Sequence, residues 1–147
     1  MFKHILVPTD GSELSNVSVG RAIGFAGEIG AKITFFYAQP DYPIAFYGEG
    51  ALIDPTTPEQ FAAMARAQAT TLLDAACQLA RQSGIDCNSL TEISDIIHLA
   101  IIDAAHQAGC DLIFMASHGR KGISGLLLGS ETQKVLTHTR IPVLVWR

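Results

Sequence analysis

Asp111-Leu112-Ile113-Phe114-Met115-Ala116-Ser117-His118-Gly119-Arg120-Lys121-Gly122-Ile123-Ser124-Gly125-Leu126-Leu127-Leu128-Gly129-Ser130-Glu131-Thr132 falls into three parts. After Asp111, Leu112 to Met115 are a short apolar run, as expected of a parallel strand buried on both faces. The middle is rich in glycine and hydroxyl side chains. From Ser130 to about position 139 the pattern is that of a short helix. A glycine-rich loop between a parallel strand and a helix is where α/β proteins hold phosphates. Glycine lets the backbone come close, and the amides at the helix N-terminus point at the anion.

The same alternation of strand, turn and helix extends upstream. Residues 3–10 contain the contiguous apolar Ile5, Leu6 and Val7, and the strand should stop near Pro8, which cannot donate to a ladder. Asp10-Gly11-Ser12 forms a turn, and Ser12 or Asp10 is a candidate cap for a helix over 13–29. Val19, Ile23, Ala26 and Ile29 mark its inward face, and Gly30 is its stop. A β-branched and aromatic strand follows over 32–38. Residues 39–56 show no period and hold Pro40, Pro43 and Pro55. A loop of that length is either a flap or partner surface, or a surface excursion without a role.

Thr57-Pro58-Glu59-Gln60 is a capping box with proline at the first helical position. It predicts a helix to about position 82, with Phe61, Met64, Gln68, Leu72, Ala76 and Leu79 near one face. Residues 85–93 read as a polar edge strand. Ser94 or Asp95 then caps a helix to about 107, with Ile97, Ala100, Ile101, Ala104 and Ala105 inward. Residues 141–146 form the closing strand.

The order β-α-β-α-β-α-β-α-β demands right-handed crossovers, a parallel sheet and helices on both faces. The expected architecture is a doubly wound five-stranded α/β sheet of order 3-2-1-4-5, in one domain spanning 1–147. Its ligand crevice lies where the order reverses, between strands one and four. Strand one ends at Pro8-Thr9-Asp10 and strand four ends at the glycine loop, so topology alone brings the two together.

Composition narrows the function. Hydrophobic residues make up 48% of the 147 and charged residues 16%, which suits a compact domain. The net charge of -4 argues against a nucleic-acid partner, whose footprint is basic. No apolar run reaches about 18 residues, so no membrane span is expected. The N-terminal residues lack the apolar core and cleavage site of a signal peptide, and a cytoplasmic setting is expected. Cys77, Cys87 and Cys110 form no C-x2-C pair and read as reduced thiols, Cys87 being the more exposed. No metal site is evident.

Within the crevice, Gly119 and Gly129 would let the backbone wrap phosphates. Ser130 and Thr132 offer hydroxyls and amides at the start of the last helix, where the dipole favours negative charge. Ser130 also reads as a simple N-cap. Asp10 is placed to accept hydrogen bonds from ribose hydroxyls, or else caps its turn. Ala38 ends strand two, where a backbone amide and carbonyl could read an adenine edge. Arg120 and Lys121 either neutralise phosphate or stand solvated. No G-x4-GK-[ST] is present, and no G-x-G-x2-G with a ribose acid about 20 residues on.

Ala116, Gly119, Gly129 and Ser130 fit small-x2-Gly-x9-Gly-Ser. This resembles the nucleotide-binding signature of the universal stress protein family, Gly-x2-Gly-x9-Gly-(Ser/Thr). Ser117-His118-Gly119-Arg120 at its front and Ile141-Pro142-Val143-Leu144-Val145 after it strengthen the likeness, which covers the whole chain. The first glycine is Ala116 here, and a left-handed backbone at that position would be costly.

The resemblance implies a Rossmann-like fold of the adenine nucleotide alpha hydrolase type. It implies that Pro8, Thr9, Asp10 and Ala38 line the nucleoside side. Ala116, Ser117, His118, Gly119, Arg120, Gly122, Gly129, Ser130 and Thr132 would form the phosphate side, His118 ordering the loop or touching phosphate. The implied ligand is ATP, ADP or AMP, with any Mg2+ held through the phosphates. The implied assembly is a homodimer through the last strand. Two other readings stand beside it: a slow ATPase or nucleotidyl transferase on the same fold, and an interaction module that binds no nucleotide.

Overall fold

The computed structural model describes residues 1–43, 56–119 and 128–147. The readings of Arg120, Lys121 and Gly122, and of the centre of the 39–56 loop, lie outside these residues. Among the described residues nine elements alternate: β1 (His4–Pro8), α1 (Glu13–Ile29), β2 (Lys32–Gln39), α2 (Pro58–Gln82), β3 (Cys87–Ile93), α3 (Ile97–Ala108), β4 (Leu112–Ala116), α4 (Ser130–His138) and β5 (Val143–Trp146). They build one parallel sheet of order β3-β2-β1-β4-β5. Registers such as Ile5 with Ile33 and with Leu112 put β1 at its centre.

Successive strand residues face opposite layers. Ile5, Val7, Ile33, Phe35 and Phe114 pack under α1 and α2. Leu6, Phe36, Ile113 and Met115 pack under α3 and α4, against Ala100, Ile101, Ala104, Ala105 and Val135. Phe35, Phe36 and Phe114 are almost wholly buried, so burial of each contributes roughly 1.5–3 kcal/mol.

The element ends follow their sequence signals. Ser12 Oγ accepts Ser15 N–H at 3.2 Å and caps α1. Thr57 and Gln60 make the reciprocal capping box at α2, at 3.2 and 3.1 Å. The ends of the long loop are pinned as well. Tyr42 donates its hydroxyl to Thr56 O at 3.0 Å and meets Phe61 edge-on at 5.6 Å.

Several expectations are corrected. The buried face of α2 is Ala65, Ala69, Leu73, Ala76, Cys77 and Ala80, while Met64 and Leu79 are 67% and 50% exposed and Gln68 is exposed too. Two apolar stripes run side by side along this helix. The alanine-rich one wins because small residues let α2 lie close on the sheet. Ile29 and Ile97 sit at helix ends that overhang the sheet and are exposed. Cys87 is buried, and its Sγ donates to Cys77 O at 3.5 Å.

Neither Ser94 nor Asp95 is the N-cap of α3. Ser94 Oγ accepts Ile96 N–H, Asp95 Oδ1 accepts Asp41 N–H, and the N-cap Ile96 has no side-chain bond to offer. Among the described residues, no helix is long and apolar enough to cross a membrane.

Candidate functional site: the crevice between β1 and β4

The floor of the crevice is built from short polar side chains just past β1. Thr9 is buried, and its N–H donates to Phe36 O at 2.8 Å, extending the ladder one residue beyond Pro8. Ser15 reaches back from α1, giving its hydroxyl hydrogen to Thr9 Oγ1 at 2.9 Å and accepting Asp10 N–H at 3.2 Å. Asp10 Oδ1 accepts Ser12 N–H at 2.9 Å. Between them Gly11 takes φ 76, a left-handed conformation in which glycine is the least strained residue. This lattice holds the Asp10 carboxylate at the mouth of the sheet.

The opposite wall begins at the end of β4. Ala116 pairs with Trp146, and Ser117 N–H donates to Trp146 O at 2.8 Å. Ser117 O accepts Gly129 N–H at 2.8 Å, which draws the start of α4 onto the end of the strand. Ser117 Oγ and His118 Nδ1 lie 3.1 Å apart. Thr132 is buried, and its hydroxyl donates to Ala116 O at 3.1 Å. That hydroxyl is therefore engaged with the chain, and only the backbone of Thr132 is left for a ligand.

Two glycines are explained by space. A Cβ on Gly129 would stand 2.9 Å from His118 Cα and 3.3 Å from Ser117 O, both backbone atoms that cannot swing aside. Its φ of -61 is ordinary, so close approach rather than a left-handed backbone requires glycine. A Cβ on Gly119 would collide with the Asp10 carboxylate. Gly119 and Asp10, from the two halves of the chain, are thus in direct apposition, as the strand order demanded.

Ala116 departs from its expectation. Among the described residues no non-glycine has positive φ, and Ala116 is a regular strand residue. Alanine carries no left-handed strain there. Ala38 lies one strand away, paired with Glu92 and partly buried on the α3 side, so it borders the crevice without lining its centre.

The start of α4, like that of α3, has no local side-chain cap. α1 and α2 are capped by hydroxyls, whereas the N-cap of α4 is Gly129, with no side-chain cap. Ser130 is therefore the first helical residue and not the N-cap, and it is exposed. The first-turn amides of a helix have no intrahelical partners, and they carry its positive dipole end. Here the helix starts against the end of β4, next to the point where Gly119 meets Asp10.

Sequence reading missed two contributors. Ser15 bridges Thr9 and Asp10, but nothing in its spacing separates it from other helical serines. Glu131 accepts His98 N–H at 3.0 Å and so caps α3 from another helix, a tertiary contact without a local signal. A separate cleft of about 540 Å3, lined by His4, Lys32, Arg81 and Gln107 among others, lies toward the N-terminal ends of the strands, away from this crevice.

Comparison with known proteins agrees with the geometry. All of residues 1–147 match the model of the universal stress protein family. The universal stress protein MJ0531 of Methanocaldococcus jannaschii is 27% identical over 147 residues, covering 99% of this chain and 82% of that one. The solved structure of MJ0577 superposes with a TM-score of 0.80 at 23% identity, covering 99% and 95% of the two chains. A universal stress protein in complex with cAMP gives 0.70 at 24% identity, with 99% and 97% covered. The Archaeoglobus fulgidus protein in complex with dAMP gives 0.67 at 18% identity, with 99% and 98% covered.

Proposed function

The chain belongs to the universal stress protein family, and from that premise we propose that it binds an adenine nucleotide, ATP foremost, in the crevice between β1 and β4. One observation carries the reading: α4 begins at a glycine with no side-chain cap, drawn onto the end of β4 where strand order reverses and Gly119 meets Asp10. A helix N-terminus left without its own cap is a ready anion site. The cAMP and dAMP complexes of similarly folded proteins support an adenine nucleotide as the occupant.

In this reading Pro8, Thr9, Asp10 and Ala38 take the nucleoside, with the Asp10 carboxylate accepting from the ribose hydroxyls. Gly119 and Gly129 admit the phosphates to the backbone. The Ser130 hydroxyl and the amides of Ser130 to Thr132 bind them, together with Ala116, Ser117, His118, Arg120 and Gly122. Any Mg2+ is held through the phosphates. Two copies pair through the outer edge of β5, and the buried free thiols suit a reducing, cytoplasmic setting. Binding is the activity that matters in this reading, with the nucleotide biasing a conformation or the assembly.

Thermal unfolding tests it. A ligand that binds only the folded state at about 100 times its Kd stabilises by roughly 2.7 kcal/mol. ATP should raise the midpoint accordingly, and Gly119→Val should erase the rise while the protein still melts cooperatively. An ATP-independent midpoint in the unaltered protein would defeat the reading.

A further inference from the structure

Glu131 is the second residue of α4, in the turn that the nucleotide reading places against phosphate. A carboxylate in a first turn is normally attracted to the N-terminal amides of its own helix. This one is turned to a neighbour. Its Oε2 accepts the His98 backbone N–H at 3.0 Å and lies 3.4 Å from His98 Nδ1, a buried ring nitrogen with no hydrogen bond among the described residues. Its Oε1 receives Lys134 Nζ at 3.2 Å. His138 closes the cluster, its ring centroid 5.1 Å from that of His98 and its Nδ1 donating to Lys134 O at 2.7 Å.

The first turn of α4 is thus held at three points. Gly129 N–H and Thr132 Oγ1 bind the end of β4 through Ser117 O and Ala116 O. Those two bonds share one strand end, and further along the helix the fully buried Val135 packs α4 into the core. Glu131 supplies the third point, on α3. Of these ties, the one from Glu131 is the one that joins the first turn of α4 to the start of α3.

We propose that Glu131 is a positioning residue for the phosphate end of the site, acting through its tie to the N-terminus of α3. The proposal rests on the nucleotide reading. It predicts a split between ligands. Loss of the tie weakens a nucleotide, whose phosphates face α4, and spares adenosine, which has none.

The test is calorimetric titration of ATP and of adenosine into the unaltered protein, Glu131→Ala and Glu131→Gln, with a melting curve for each. Gln keeps an oxygen that accepts His98 N–H. Glu131→Ala should bind ATP about ten-fold more weakly, the effect of about one hydrogen bond to a charged group, with adenosine affinity changed less than about two-fold. Glu131→Gln should stay within about two-fold of the unaltered protein for both ligands. Should Glu131→Ala not fold, Glu131→Asp carries the same expectation, because its shorter side chain withdraws the carboxylate from α3.

Unchanged ATP binding in Glu131→Ala overturns the proposal. So does an equal loss of ATP and adenosine, or an equal loss in Glu131→Ala and Glu131→Gln. An unaltered protein that binds no ATP at all is a different result: it removes the nucleotide reading itself, and this proposal with it.

Discussion

Ala116 occupies the position where the family signature has its first glycine, and its backbone is that of a regular strand. Restoring glycine there relieves no strain and adds freedom to the unfolded chain. Ala116→Gly should therefore lower stability by about 0.5–1 kcal/mol without improving ATP affinity. Denaturant melts and a titration check both halves, and a clear gain in affinity would contradict this account of the position. His4 gives a second residue-scale prediction. It is buried and bonded to Thr34 Oγ1 at 2.7 Å. Burial, and then the Lys32 charge, hold its ring below the ordinary histidine value, against the opposing pull of Asp111 and Asp86. The unfolded chain then binds a proton more readily than the folded one. The stability from neutral His4 is complete above about pH 6.5 and is lost as pH falls below it. Melting midpoints should drop between about pH 7 and 5, and His4→Gln should flatten that slope. A slope unchanged in the variant would assign the loss to other groups.

The elements were legible wherever a local rule had a local answer. The Thr57 capping box, Pro58, and Gly30 at the end of α1 are interactions within a few residues, and each stands where sequence placed it. Thr57→Ala should cost about 1 kcal/mol through the lost cap, measurable by denaturant unfolding. A change near zero would mean that the neighbouring Tyr42–Phe61 contact holds the start of α2 instead. What sequence did not settle were choices made by tertiary packing. Met64 and Ala65 are adjacent and both acceptable to a helix. The sheet chose the alanine stripe because it allows closer approach. The start of α3 was misread for a related reason: its amide cap is Glu131, 33 positions away. The glycines of the site were legible as a pattern, but the cause was not. Gly129 is needed for the absence of a Cβ against His118, which no spacing rule expresses.

For the whole molecule, strand order does most to locate function. Because β1 and β4 are neighbours while their helices leave on opposite faces, Asp10 and Gly119 meet although 109 positions separate them. A second feature at this scale is the outer edge of β5, whose residues are all half-buried and whose Val143, Leu144 and Trp146 also pack on the core. Val145 does not join either core cluster. A lysine there blocks edge pairing with little harm to the fold. On the proposed pairing through β5, the unaltered chain should sediment as a dimer and Val145→Lys as a monomer at the same concentration; a monomeric unaltered chain, or a variant that still dimerises, would contradict that pairing. The proposed binding of an adenine nucleotide at the start of α4 belongs to this scale as well. It is tested most directly by calorimetric titration of ATP with Mg2+ into the unaltered protein and into Gly129→Ala, both shown to be folded. Saturable binding is expected in the first and at least about ten-fold weaker binding in the second. It is contradicted by no binding in the unaltered protein up to about millimolar ATP, or by equal affinity in the two.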